Sequence, residues 1–102
     1  MPFEWDEKKN ERNIRERGID FADIVEMFEQ PMLVAQDDRT DYGENRSIGM
    51  GYVRGRLMVV VFTQREPDLI RIISARKANR REQEKFEEAI ANRLETRGRN
   101  EG

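Results

Sequence analysis

A continuous apolar run near the middle of the chain sets the strongest limit on how it can fold. Residues 57–63, Leu-Met-Val-Val-Val-Phe-Thr, are apolar up to the closing threonine and predict a central strand that is buried on both faces. A turn at residues 53–56, where Gly55 supplies a positive φ, precedes the run, and a second turn at residues 64–68 follows it. The next strand covers residues 69–75. Because connections this short join antiparallel neighbours, the sequence predicts an antiparallel β-sheet meander.

Helical and strand-like segments surround this meander. Apolar residues at positions 21, 24, 25 and 28 recur at helical spacing behind the N-cap Asp20, in a helix that ends before Pro31. Asn79 and Glu82 form the capping-box pattern that begins a closing helix. The remaining segments are predicted in this order: a strand at residues 3–5, a polar helix at 8–17, a strand at 32–35, a polar loop at 37–42 and a strand at 46–52.

The order of these elements defines the fold class. It reads β-α-α-β-β-β-β-α, which predicts a small α+β domain with an antiparallel meander, two N-terminal helices and one C-terminal helix. We expect a single domain over residues 1–97, followed by a flexible tail at residues 98–102.

The composition excludes several kinds of chemistry. The 102 residues are 36% hydrophobic and 39% charged, which predicts a modest core and a highly charged surface. There is no cysteine for disulfides or thiolate chemistry, and no histidine, which is the usual proton shuttle and the commonest metal ligand. We therefore expect no metal and no cofactor. The sequence has no signal-peptide pattern and no run of the ~20 apolar residues that span a bilayer, so we expect a cytoplasmic protein without a membrane partner.

The net charge of −2 conceals an uneven distribution of charge along the chain. Residues 1–45 hold 6 Lys/Arg and 13 Asp/Glu, whereas residues 46–102 hold 13 Lys/Arg and 8 Asp/Glu. The basic excess is greatest in residues 46–81, where 9 basic residues stand against 2 acidic ones. Most of the basic residues are arginines, whose planar fork binds phosphate oxygens and also stacks on bases. RNA or DNA is therefore the expected kind of ligand.

The end of the last predicted strand is the best candidate for an anion site. Arg76, Lys77, Arg80 and Arg81 lie where this strand passes into the closing helix. Strand-to-helix junctions bring side chains and free backbone N–H groups to the edge of a sheet, where anions can be held. Strand alternation sends Arg71 to the face opposite Arg76, so the two cannot line one site unless a bulge intervenes. We therefore favour Arg76.

Several fragments also fit the pattern of one protein family. The first fragment, Phe3-Glu-Trp-Asp6 with Lys9, Asn13, Gly18 and Phe21, has the spacing of the family's opening motif. The second, Glu44-Asn-Arg-Ser-Ile-Gly49, resembles the family's arginine–glycine strand. The third, Ile70-Arg-Ile-Ile-Ser-Ala-Arg-Lys-Ala78, is similar to the family's most recognisable signature. On these fragments the chain resembles the BrnT family of type II toxins over residues 3–90.

This resemblance implies a RelE-like fold and a ribonuclease activity that stops translation. It also implies a cognate ribbon-helix-helix antitoxin, called BrnA in that family, and repression of the operon by the toxin–antitoxin complex on operator DNA. The family commonly has Lys-His-Gly where this chain has Glu16-Arg17-Gly18. A role of that histidine in chemistry or RNA binding would pass to Arg17 here or be absent.

The arginines and carboxylates of the chain are suited to cleavage of RNA without a metal. RNA supplies its own nucleophile, the 2′-hydroxyl, so the enzyme has to orient that group, accept its proton and stabilise the charge on the phosphorane. The predicted catalytic residues, which would bind the phosphate and stabilise the transition state, are Arg46, Arg65, Arg76 and Lys77. The predicted RNA-binding residues are Arg17, Arg71, Arg80 and Arg81. The general base stays open among Glu4, Asp6 and Lys77.

Simpler roles compete with these predictions. The alternative role of Arg71 is to pair with a carboxylate on a neighbouring strand. The alternative for Arg80 and Arg81 is that they are solvated residues of the first helical turn. The second functional hypothesis is a non-catalytic subunit that docks a DNA-binding partner and modulates repression. Its basic face would contact that partner or operator DNA, and cleavage of RNA by the purified protein separates the two hypotheses.

Overall fold

The structure, a computed structural model, describes the backbone of residues 2–38 and 43–100 and the side chains in these ranges up to residue 93. Its elements confirm the predicted α+β class and element order. The helices are α1 (Glu7–Arg17), α2 (Phe21–Ile24), which passes directly into a 3-10 helix (Val25–Glu29), and α3 (Arg80–Asn100). The strands are β1 (Phe3–Trp5), β2 (Leu33–Gln36), β3 (Ser47–Val53), β4 (Arg56–Glu66) and β5 (Leu69–Lys77). Residues 39–42 of the predicted loop and 101–102 of the predicted tail lie outside the described residues, and α3 continues past residue 97.

A five-stranded sheet with the order β1-β5-β4-β3-β2 is the framework of the molecule. Strands β2 to β5 are antiparallel neighbours in chain order, which confirms the predicted meander. The sheet as a whole is mixed, because β1 pairs in parallel with β5 and places Glu4 opposite Arg71. Since β1 and β2 lie at opposite edges, the helical segment between them crosses one face of the sheet.

The hydrophobic core lies between the sheet and this helical segment. The largest fully buried side chains are Phe21, Ile24, Met27, Val60 and Ile72. The 3-10 helix approaches β3 closely at Gly51, where a Cβ atom would lie 3.2 Å from side-chain atoms of Met27 and Met32. The missing side chain at Gly51 therefore makes room for two methionines above the sheet.

Short polar contacts set the bounds of the first two helices. Asp6 caps α1 by accepting hydrogen bonds from the backbone N–H groups of Lys8 and Lys9, and Gly18 ends the helix with a φ of 68°. The predicted second helix is α-helical for only four residues and then winds more tightly as a 3-10 helix. Met27 in this 3-10 helix is fully buried.

Helix α3 contacts the other face of the sheet, near the turn between β3 and β4. Phe86 is buried there and packs edge-on against Tyr52, with 5.4 Å between ring centroids. The predicted capping box is confirmed, because the N–H of Glu82 donates to the Asn79 side chain at 2.8 Å and the N–H of Asn79 donates to the Glu82 carboxylate at 2.9 Å. The Glu82 carboxylate also accepts bonds of 2.8 and 2.7 Å from the Arg76 guanidinium, which joins β5 to α3.

The Arg76–Glu82 pair makes stability depend on pH in acid. The hydrogen bond from Arg76 is the largest cause that lowers the pKa of Glu82 from 4.5 to about 2. Because the folded-state pKa is depressed, the stabilisation is complete above about pH 4.5 and is lost as the pH falls through about 2. Solvent screens this pair, since the Arg76 side chain is 44% exposed, and limits its contribution to about 1 kcal/mol.

We expect Glu82→Gln to lower the free energy of unfolding at pH 7 by about 1 kcal/mol, measured by urea denaturation. The variant should also show a shallower loss of stability than the wild type between about pH 5 and pH 2. Glu84→Gln is the matched control, because Glu84 meets Arg80 at 3.6 Å on the exposed side of the same helix. A Glu82→Gln curve that runs parallel to the wild-type curve would contradict the assignment.

Candidate functional site

The face of the sheet opposite α1 and α2 carries a group of charged residues. A bulge in β5 determines which β5 side chains lie on this face. Ile73 has no partner on β4, because the register steps directly from Ser74 to Ile72. An extra residue of this kind reverses the alternation of side chains beyond it. Arg71 and Arg76 therefore lie on the same face, and the expectation that alternation separates them is wrong.

Five charged side chains at one end of this face form a continuous series of ion pairs. We call it the ionic chain, and its order is Arg71, Glu4, Arg65, Glu44 and Arg46. A carboxylate oxygen of Glu4 lies 3.4 Å from a guanidinium nitrogen of Arg71 and 3.9 Å from one of Arg65. Glu44 lies 3.6 Å from Arg65 and 3.3 Å from Arg46, measured in the same way. Each carboxylate thus bridges two arginines, and the proposed alternative of a cross-strand partner for Arg71 is confirmed.

Strand pairing brings the ionic chain together from separate parts of the sequence. Glu4 lies opposite Arg71 in the parallel pairing of β1 with β5. Arg65 lies at a second register shift, where β4 has one residue without a partner on β5. Glu44 and Arg46 come from the segment that leads into β3. The site therefore exists only when four strands of the sheet have assembled.

A buried hydroxyl group fixes the segment that carries Glu44 and Arg46. Thr63 is 4% exposed, and its Oγ1 donates a hydrogen bond of 2.7 Å to the backbone carbonyl of Asn45. Thr63 is also paired with Arg71 across β4 and β5. The hydrogen bond from Thr63 to Asn45 therefore holds the segment with Glu44 and Arg46 beside the strand that carries Arg71.

The ionic chain is accessible to a ligand. Its side chains are 23–49% exposed, so they are neither enclosed in the core nor fully solvated. A groove of about 290 Å³, which we call the first groove, is lined by Glu44, Asn45, Thr63, Gln64 and Arg65. A guanidinium that faces such a groove can donate two parallel N–H bonds to a phosphate group.

Arg76 and Lys77 lie at the other end of β5, about 15 Å from Arg71 at the usual rise of an extended strand. Arg76 is engaged with Glu82, at 2.7 Å for the shorter of two bonds. Lys77 is exposed. The predicted catalytic residues therefore do not form one cluster: Arg46 and Arg65 belong to the ionic chain, and Arg76 and Lys77 do not.

Arg80 and Arg81 extend this second group of cations onto the first turn of α3. Both are exposed, and Arg80 lies 3.6 Å from Glu84 one turn further along the helix. Their placement fits the simpler reading of solvated residues in a first helical turn.

Arg17 and Asp6 have structural partners around α1. Arg17 donates bonds of 3.0 Å to the carbonyl oxygen of Ala75 and 3.2 Å to the side chain of Asn13. Since β1 pairs with β5 only as far as Ile72, Arg17 ties α1 to the stretch of β5 that lies beyond β1. Asp6 is occupied as the cap of α1.

Four residues that line the first groove are absent from the predicted site residues: Glu44, Asn45, Thr63 and Gln64. Glu44 and Asn45 directly precede Arg46 in the fragment that resembles the family's arginine–glycine strand, and this proximity is the signal that points to them. Thr63 offers no such signal, because a threonine at the end of an apolar strand is ordinary.

Two further observations concern the described residues as a whole. Within residues 2–38 and 43–100, no helix is both long enough and apolar enough to cross a membrane. The same residues contain no group of three or more acidic side chains placed to hold a metal ion.

Comparison with known proteins identifies the family. The crystal structure of the Brucella abortus ribonuclease toxin BrnT, determined at 1.1 Å, is similar with a TM-score of 0.61 and 28% sequence identity, over 78% of this chain and 99% of that one. A comparison with curated proteins finds no match. Residues 5–82 match the family described as "Ribonuclease toxin, BrnT, of type II toxin-antitoxin system". Because the match covers more than half of the chain, this chain belongs to the BrnT family of ribonuclease toxins.

Proposed function

We propose that this chain is a metal-independent endoribonuclease whose active site is the ionic chain with the first groove. The observation that carries the proposal is the alternation of three arginines with two carboxylates at 3.3–3.9 Å on one open face of the sheet. Binding of a polyanion needs arginines, and proton transfer needs a group such as a carboxylate. Membership of a family of ribonuclease toxins supports RNA as the substrate.

Arg65 is the proposed centre of phosphate binding. It contacts both carboxylates of the ionic chain and lines the first groove. In the groove, the non-bridging oxygens of a phosphodiester would take the place of a carboxylate as the partner of the Arg65 guanidinium. Arg46 and Arg71 would hold the same phosphate from either side. The charge that develops on the phosphorane would then lie against guanidinium groups that are already in position.

Glu4 is the proposed general base. It lies between Arg65 and Arg71 and is partly exposed, so a 2′-hydroxyl next to the bound phosphate can reach it. Asp6 is less suited to this task, because it accepts hydrogen bonds from the two backbone N–H groups that it caps. Lys77 lies at the far end of β5.

The proposed reaction uses these side chains, the RNA and solvent water. Glu4 takes the proton of the 2′-hydroxyl, whose oxygen attacks the adjacent phosphorus. The bond to the 5′-oxygen breaks, that oxygen takes up a proton from water, and Glu4 returns its proton to the solvent. The products end in a 2′,3′-cyclic phosphate and a 5′-hydroxyl. The lack of histidine and cysteine in the sequence favours this scheme, because it needs neither residue.

We also propose the biological setting. A type II toxin–antitoxin family implies an antitoxin partner. A BrnA-like ribbon-helix-helix antitoxin would bind an acidic segment to the ionic chain in place of RNA, and the complex would repress its operon on operator DNA. The cations at the β5–α3 junction, Arg76, Lys77, Arg80 and Arg81, would help to bind RNA. A RelE-like fold, arrest of translation and a cytoplasmic location stay predictions.

Arg65→Ala should lower kcat/KM for cleavage of single-stranded RNA by about 100-fold or more, because the central guanidinium is lost from the transition state. The assay uses purified protein free of antitoxin, with and without EDTA, and EDTA should not change the wild-type rate. Arg54→Ala is the matched control, since Arg54 is 65% exposed and pairs with Asp23 and Glu26 away from the ionic chain. Equal activity of the two variants would refute the site, and loss of activity in EDTA would refute metal independence.

Glu4→Gln should lower kcat by about 100-fold or more with a small effect on KM, because the amide keeps the shape of the side chain but does not accept the proton. Glu11→Gln changes an exposed glutamate on α1 and should behave as wild type. An unchanged kcat in Glu4→Gln would place the general base elsewhere.

Induced expression separates the enzyme from a non-catalytic subunit that docks a DNA-binding partner. The enzyme should arrest growth and degrade RNA, and Arg65→Ala should do neither. Normal growth with intact RNA under strong expression of the wild type would leave the binding subunit as the function.

A further inference from the structure

A second groove adjoins the first one at Asn45 and Arg65. It has a volume of about 470 Å³, within the range of roughly 300–1,000 Å³ for sites that hold small organic ligands. Its lining residues are Asn45, Ser47, Gln64, Arg65, Glu66 and Pro67. Asn45, Gln64 and Arg65 line both grooves, so the two are continuous. A group bound in the second groove would therefore lie next to a phosphate held by Arg65.

Asn45 combines a fixed backbone with an available side chain. Its carbonyl oxygen accepts the 2.7 Å bond from the buried hydroxyl of Thr63. Its side chain is exposed, and its amide makes no hydrogen bond with any residue in the described ranges. An exposed amide on a fixed backbone, with no partner in the described ranges, can bond with a ligand.

Gln64, the other amide in the two grooves, is already in use. Its Nε2 donates a bond of 2.8 Å to the carbonyl oxygen of Pro67, which braces the turn between β4 and β5. Asn45 is therefore the better placed of the two amides for reading a ligand.

The chemistry of an amide matches the edge of a nucleobase. Single-stranded RNA is recognised when its unstacked bases are bonded along their Watson–Crick or Hoogsteen edges. An asparagine side chain offers one donor and one acceptor side by side, and adenine presents the complementary pair at N6 and N7. A ribose links each base to its phosphate, so a base beside the phosphate on Arg65 falls within the second groove.

We infer that the second groove is a nucleobase subsite, and that Asn45 reads the base that flanks the scissile phosphate, with adenine preferred. This inference rests on the proposed ribonuclease function. It makes Asn45 a determinant of cleavage specificity rather than a catalytic residue.

The test uses oligodeoxynucleotides that contain a single ribonucleotide, so that only one phosphate can be cleaved. The bases on either side of that phosphate are varied in turn, and kcat/KM is measured for each. The wild type should prefer adenine at one flanking position by about fivefold or more. Asn45→Ala should reduce this preference to less than about twofold. Gln30→Ala, which removes an exposed amide after the 3-10 helix, should keep the wild-type preference.

Asn45→Asp provides a second variant in case Asn45→Ala does not fold. It replaces the amide donor with an acceptor, so the preference should move from adenine toward cytosine, whose N4 group donates. Preference ratios compare substrates within one variant, so a general loss of activity does not affect them. A wild type without any base preference, or an Asn45→Ala variant with the wild-type preference, would overturn the inference.

A binding measurement separates failure of this inference from failure of the proposed function. The probes are 2′-fluoro oligonucleotides, which lack the nucleophile and cannot be cleaved, with adenine, cytosine, guanine or uracil at the flanking position. Tighter binding of the adenine probe that is lost in Asn45→Ala supports the subsite, even if the wild type cleaves nothing. Equal binding of all four probes by a wild type that cleaves RNA would overturn the subsite and leave the ribonuclease in place.

Discussion

The pairing of β4 with β5 positions both the core residues and the charged residues of the sheet. It joins the two longest strands, and each contributes one residue without a partner, Ile73 in β5 and Arg65 in β4. The irregularity at Ile73 serves the core first. It allows Ile72 and Ala75, three positions apart, to be buried on the same face, which a regular strand would not permit.

The same irregularities position the charged residues on the opposite face. Because of the bulge at Ile73, Arg71 and Arg76 lie on the same face of the sheet. Arg71 contacts Glu4 across the parallel pairing of β5 with β1. With Arg65 outside the regular register, its guanidinium reaches both Glu4 and Glu44. Bulges redirect a side chain without breaking the sheet, and here the two irregularities place Arg71 and Arg65 against the same carboxylate, Glu4.

The two groups of arginines differ in how tightly they are held, and this difference suits different roles. Arg76 makes two short bonds to Glu82, at 2.7 and 2.8 Å, and that carboxylate also caps α3. In the ionic chain each arginine–carboxylate distance is 3.3–3.9 Å, and the side chains are partly solvated. Short bidentate bonds stabilise the junction of β5 with α3. The longer contacts of the ionic chain offset repulsion among three nearby arginines.

The elements whose causes are local can be read from the sequence. The apolar run in β4, the turn at Gly55 and the capping box of Asn79 with Glu82 each depend on residues a few positions apart, and all three are present in the fold. The basic character of residues 46–81 and the absence of histidine and cysteine are also properties of the sequence alone. The local elements were sufficient to predict an α+β meander, and the basic segment was sufficient to predict an arginine-rich surface.

The contacts between charged residues follow from strand pairing and cannot be read from the sequence. The position of β1 beside β5, the bulge at Ile73 and the bond from Thr63 to Asn45 bring Glu4, Arg65 and Glu44 together. Local patterns do not encode these contacts, because strand register is set by how core side chains from the whole sheet pack together. A shift of one residue moves a side chain to the other face, and the sequence around Arg71 reads the same with or without that shift.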